Sequence, residues 1–122
     1  MNVMVARRSF LEKNHAAIKR FQQAYAEGTY QFMTSREKGL AVLAKRLRFK
    51  NPKGLEETYD YFAKSFAMPT RISQDGLRNT LEIVAQRNAA VKVDMNMAKY
   101  LDESILDELD REGFFKRLLG RS

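Results

Sequence analysis

Few residues in this chain have the types and spacing that chemistry needs. Arg7 and Arg8 stand together where a short apolar segment meets the first helical pattern. Helix N–H groups also favour negative charge at such a junction. The pair is the candidate anion site, set against the plainer reading of two surface arginines. His15 is the only histidine, and cysteine is absent. One imidazole with no thiolate and no second histidine cannot make an ordinary zinc site. General-base use would need a nucleophile and an orienting carboxylate in reach, and no motif supplies them. His15 therefore reads as a surface helix residue.

Two acidic groups have helical spacing. One is Glu56, Glu57 and Asp60. The other is Asp102, Glu103, Asp107, Glu108, Asp110 and Glu112. Carboxylates paired for acid–base work are buried among apolar groups, whereas these lie on polar faces and near helix starts. Calcium-loop spacing is absent. Tyr25, Tyr30, Tyr59, Tyr61 and Tyr100 could line a small-molecule pocket, but aromatics at helical spacing more often form core. No Walker loop, GxGxxG or GxSxG is present. The expectation is a non-enzymatic chain with no catalytic residue, metal ligand or cofactor.

The chain has 122 residues and a net charge of +7. That length suits one domain, 1–122, able to bury a real core. The charge is uneven. Residues 1–50 hold eleven Lys/Arg against three Asp/Glu, and residues 51–122 hold eleven against twelve. A basic half suits an anionic partner. Its cations are spread around helices with no nucleic-acid-reading motif, so a nucleic-acid partner is disfavoured. No apolar run approaches the ~18 residues of a membrane span. The start, MNVMVARRSF, lacks the apolar region of a signal peptide.

The positioning elements are helical. Asn2–Ala6 is the only strand candidate, and alone it would need a partner. Ser9–Lys13 reads as one or two helical turns. The organising helix runs from about His15 to Met33, with Asn14 as cap and Ile18, Phe21, Tyr25 and Phe32 on one face. Gly28 interrupts it, marking either a close backbone approach or simple tolerance. Thr34 to Glu37 matches a capping box with Thr34 as cap. The helix after it carries Leu40, Leu43, Ala44 and Leu47. Asn51-Pro52 opens the next helix, whose stripe is Leu55, Tyr59, Phe62 and Phe66. Met68 to Ile72 is an extended connector. Ser73 caps a fifth helix with Leu77, Leu81 and Val84 inside, ending near Asn88. Val91–Tyr100 has no clear period. Asp102 caps a last helix with Ile105, Leu106 and Leu109 inward, broken or bent near Gly113. The fold class is thus mainly α, with about five to six amphipathic helices and one short N-terminal strand.

The ordered set ARRSFLEKN, AAIKRFQQAYAEGTYQF, SREKGLAVLAKRL, NPKGLEETYDYF, SQDGLRNTLEIVA and DESILDELDREGFFKRL resembles the C-terminal portion of ABC-transporter substrate-binding proteins. The branch it looks like includes the nitrate-, sulfonate-, taurine- and thiamine-precursor-binding proteins. The resemblance covers nearly the whole chain and lies in the order of segments. It implies the last third of a two-lobed, type II periplasmic binding protein of α/β fold. It also implies a role in small-molecule uptake, an ABC permease and a solute as partners of the full-length family, and a periplasmic or extracytoplasmic location. A chain complete as written, with no signal peptide, would instead be cytoplasmic. Asn2–Ala6 matches the strand near the family's hinge. Ligand contacts in the family come mostly from earlier loops, so no ligand residue is carried over.

One copy of this chain cannot form a cleft between two lobes. It reads as a fragment or truncated relative whose helices have apolar faces normally covered by a lobe. Phe10, Phe62, Phe66, Phe114 and Phe115 are the candidates for such uncovered surface, which normally attracts a partner. The expectation is a homo-oligomer joined through those faces. The alternative is a stand-alone helical interaction module that binds an acidic protein or nucleic acid through the basic half.

Overall fold

The computed structural model describes residues 4–48, 51–88, 90 and 92–120. Among them the chain forms α1 (Arg8–Lys13), α2 (His15–Thr34), α3 (Arg36–Leu47), α4 (Pro52–Ser65), α5 (Gln74–Arg87), α6 (Ser104–Arg111) and α7 (Phe114–Leu119). A single 3-10 turn, Met97–Lys99, lies between α5 and α6. The fold is mainly helical, as expected. The count exceeds the expected five to six because the last helix is two. Gly113 takes φ +72°, a left-handed conformation open to glycine at no steric cost, and there the chain turns from α6 into α7. No strand occurs among the described residues. Met4–Ala6 has no regular structure and Val5 is 92% exposed. No sheet edge is present there for it to pair with. Asn2 and Val3 of the expected strand lie outside the described residues.

Local signals set most boundaries. Asn51 accepts from the Lys53 amide at 3.1 Å, with Pro52 at the first helical position. Ser73 accepts from the Gly76 amide at 3.1 Å. These side chains satisfy N–H groups that no helical carbonyl can reach. Three capping expectations are refined. Asn14 takes the N-cap position of α2 as expected, but its side chain makes no cap bond there. Its side-chain amide donates to the Phe10 carbonyl at 2.9 Å and so closes α1. The expected capping box is one residue out of register. Thr34 ends α2, its hydroxyl donating to the Tyr30 carbonyl, and Ser35 takes the cap position without a side-chain cap bond. Asp102 stands two residues before α6, yet it accepts from both the amide and the hydroxyl of Ser104, at 3.1 and 2.6 Å.

The core lies where α6 and α7 close on α2. Ala26, Leu106, Leu109, Phe114, Phe115 and Leu118 form one buried cluster, with Tyr30 and Ile105 against it. The face of α2 that turns inward is therefore Ala26, Thr29 and Tyr30, and the Ile18–Phe21–Tyr25–Phe32 stripe lies to one side of it. Phe114 and Phe115, expected as uncovered surface, are buried because Gly113 turns α7 back onto α2 and α6. Phe10 and Phe62 are exposed as expected, and Phe66 is half-buried.

A second centre holds α3 and α4 to the C-terminal half of α2. Tyr59 is buried there. Its hydroxyl donates to the Phe32 carbonyl at 2.9 Å, and its ring lies 5.0 Å from that of Phe32. The ring sits over Gly39 so closely that a Cβ there would lie 2.3 and 2.8 Å from two ring carbons. Glycine is required at that point for space. Gly28 is the opposite case, with nothing within 4 Å of an added Cβ, so simple tolerance is the right reading there. Among the described elements α5 packs only on the 3-10 turn. Leu81 is buried and Leu77 half-buried, but Val84, expected inside, is exposed.

These two glycines give opposite predictions. Gly39→Ala should lower unfolding stability by about 1–3 kcal/mol, as overpacking does. Gly28→Ala should raise it by up to about 1 kcal/mol, the helix-propensity gain. Denaturant titration of both variants checks the pair, and equal effects would contradict the packing described.

Candidate functional site

Several of the acidic residues singled out in the sequence, Asp60, Glu103, Asp107, Glu108 and Glu112, are held by cations from other elements. Lys19 on α2 reaches Glu108 on α6 at 2.5 Å and Glu112 at 2.6 Å. His15 Nε2 lies 2.8 Å from the other oxygen of Glu108. Arg36 on α3 pairs with Asp60 on α4, and stands 5.1 Å over the Tyr59 ring. Arg71 in the connector bonds Glu103 at 3.2 Å and Asp107 at 2.7 Å. The clusters thus work as struts between elements. No group of three or more His, Cys, Asp or Glu able to hold a metal occurs among the described residues.

Protonation follows these contacts. The hydrogen bond from Lys19 holds the Glu108 carboxyl below the usual range, and the same contact raises the Lys19 amine. The Ser104 hydroxyl bond holds Asp102 low, with Arg8 adding a smaller attraction. Lys99 does the same for Asp94. Arg7 and Arg8, the candidate anion pair, are exposed at the start of the six-residue α1. Arg8 and Asp102 both line the first groove.

The concave surface follows α2. One groove, of about 710 Å³, lies between the α1–α2 corner and the segment leading into α6. Phe10, Ile18, Phe21 and Tyr100 give its apolar wall, and Arg8, His15, Asp102 and Ser104 stand around it. The Ser104 hydroxyl donates to Asp102 at 2.6 Å, and His15 Nε2 lies against Glu108. A second groove, of about 490 Å³, continues along α2 and is lined by Tyr25, Gly28, Phe32, Leu43, Phe62 and Phe66. Of the five tyrosines, Tyr100 and Tyr25 border grooves, Tyr30 and Tyr59 serve the core, and Tyr61 is 68% exposed.

The stripe Ile18–Phe21–Tyr25–Phe32 is the floor shared by both grooves. Its C-terminal end is roofed by α4, with the Phe32 and Phe66 rings edge-on at 5.8 Å. Its middle is open. Phe21 is 54% and Tyr25 39% exposed, with their rings stacked at 6.5 Å. The sequence pattern locates this stripe, but it does not reveal the ion-pair struts or the Gly39–Tyr59 contact. For the latter, the one available signal is a mid-helix glycine preceding an aromatic stripe.

The exposed large apolar side chains include Phe10, Phe21, Tyr25 and Phe62, and contiguous apolar exposure is characteristic of interaction surfaces. No helix among the described residues is long and apolar enough to cross a membrane. Compared with protein-family models, curated proteins and solved structures, the chain matches none.

The ion-pair struts predict a stability profile. Glu108 is held low when folded, so its contribution is present above the unfolded carboxylate value of about 4.3 and is lost as pH falls through the folded value. Lys19 is held high, so its contribution is present below the unfolded value of about 10.4 and is lost as pH rises through the folded one. Thermal melts across pH should show both losses, and Lys19→Met should flatten them. An unchanged profile in Lys19→Met would contradict the strut.

Proposed function

We propose that this chain is a non-enzymatic, helical relative of the C-terminal part of ABC-transporter solute-binding proteins, and that it works by association through its uncovered apolar surface. The observation that carries the second part is the apolar floor running along α2, where Phe21 and Tyr25 are 54% and 39% exposed. The ordered segments named above support the first part. In the family they resemble, such helices cover a lobe built around a sheet. A helix layer of that kind has apolar faces on more than one side, which is the pattern of α2. On this reading the chain acts outside the cytoplasm in small-molecule uptake, beside an ABC permease. The apolar faces are covered by self-association, and no residue of this chain is assigned to the solute.

The reading as a basic module for nucleic acid or acidic protein is weaker. Lys19, Arg36 and Arg71 hold the fold's own carboxylates, which leaves fewer cations for a ligand.

Two measurements test the proposal. The coding DNA on either side should encode an ABC permease and ATPase, and deleting this chain should lower uptake of that system's solute. Neighbours unrelated to transport, with uptake unchanged, would overturn the transport reading. Separately, an apolar-surface dye should bind dilute protein strongly and be displaced as protein concentration rises. Dye binding no greater than that of a compact globular control would overturn the association reading.

A further inference from the structure

The outer side of α3 is cationic. Lys38, Val42, Lys45 and Arg46 recur at offsets of four, seven and eight residues, so they share one side of the helix. All four are exposed. The opposite side has Gly39 against the Tyr59 ring, with Leu40 and Leu43 half-buried beside it. Arg48 follows at the C-terminal end of the helix and is exposed too. Residues 45–53 hold five Lys/Arg and no Asp/Glu. The neighbouring carboxylates are matched elsewhere. On α4, Asp60 pairs with Arg36, Glu56 lies 3.9 Å from Arg36, and Glu57 lies 4.0 Å from Lys53. The one carboxylate of α3, Glu37, lies in its first turn. Lys38, Lys45, Arg46 and Arg48 form no ion pair among the described residues.

We propose that this side of α3 docks on the headgroup layer of an anionic lipid bilayer. Its charge calls for an anion, and three features select a lipid surface. None of its residues lines either groove, so it suits a broad plane and not an enclosed ligand. Val42, between Lys38 and Lys45, is 55% exposed, and Leu47, between Arg46 and Arg48, is 51% exposed. Apolar tips among cations gain from the acyl boundary beneath the headgroups, whereas a phosphodiester strand is held chiefly by charge. These residues also include no aromatic ring on which a base could stack. Leu40 and Leu43 stay turned to the fold, so α3 lies on the headgroups and does not insert. The contact shares no residue with the α2 floor, so it stands whether or not the chain self-associates.

Vesicle sedimentation tests the docking. The unmodified protein should bind phosphatidylcholine vesicles that contain about one third phosphatidylglycerol. It should bind pure phosphatidylcholine vesicles weakly, and salt should release it from the anionic ones. Lys45→Gln with Arg46→Gln should lower the partition coefficient about 25-fold, at roughly fivefold per cation. Arg78→Gln with Arg87→Gln removes the same charge from exposed positions of α5 and should lower it less than about threefold. Val42→Ser should weaken vesicle binding by about threefold. A random-sequence DNA duplex at equal charge should not displace the protein from the vesicles. Every substituted position is exposed, so the variants should keep the helical circular-dichroism signal. No binding of the unmodified chain to anionic vesicles would overturn the proposal. So would equal losses in the α3 and α5 double variants, unchanged binding of Val42→Ser, or displacement by the duplex.

Discussion

One constraint governs this molecule: α2 has apolar residues on two sides, with a polar face of Arg20, Gln23, Glu27 and Gln31 between them, and the described residues cover only part of its apolar surface. Ala26 and Tyr30 turn toward α6 and α7, where Leu109 and Phe115 are almost wholly buried. Phe32 is met by Tyr59 and Phe66 from α4. Everything else hangs on these two attachments. Gly113 exists to bring α7 back onto α2. Gly39 exists to admit the Tyr59 ring. Lys19 and Arg36 fasten α6 and α4 to the same scaffold. What remains of α2, from Ile18 through Tyr25, has no roof.

The buried cluster around Leu109 and Phe115 is small, and large apolar side chains such as Phe21, Tyr25 and Phe62 stay exposed. The fold therefore behaves as a layer with one face turned outward. The polar groups that border the first groove are paired, Ser104 with Asp102 and His15 with Glu108.

The helices were legible in the sequence because their signals are local. Asn51-Pro52, Ser73 and Gly113 each act within one turn, and all three mark real boundaries. The capping box failed because Thr34 and Ser35 are equally good candidates, and only the length of α2 decides between them. The lone strand could not be judged locally, since a strand is defined by its partner. Burial was legible where a helix has one apolar face and illegible where it has two. The periodicity of Ile18, Phe21, Tyr25 and Phe32 is strong, yet the inward side of α2 is set by Ala26 and Thr29, which carry almost no hydrophobic signal. The same non-locality hid the struts. Lys19 and Glu108 are 89 positions apart, and no spacing rule connects them.

The central claim is that the surface left open by this fold is covered by another copy of the chain. Sedimentation equilibrium of the unmodified protein, from low to high micromolar concentration at moderate salt, tests it directly. The account predicts a mass that rises from 14.2 kDa toward twice that value and then levels off. A mass that stays at 14.2 kDa over the whole range would contradict it.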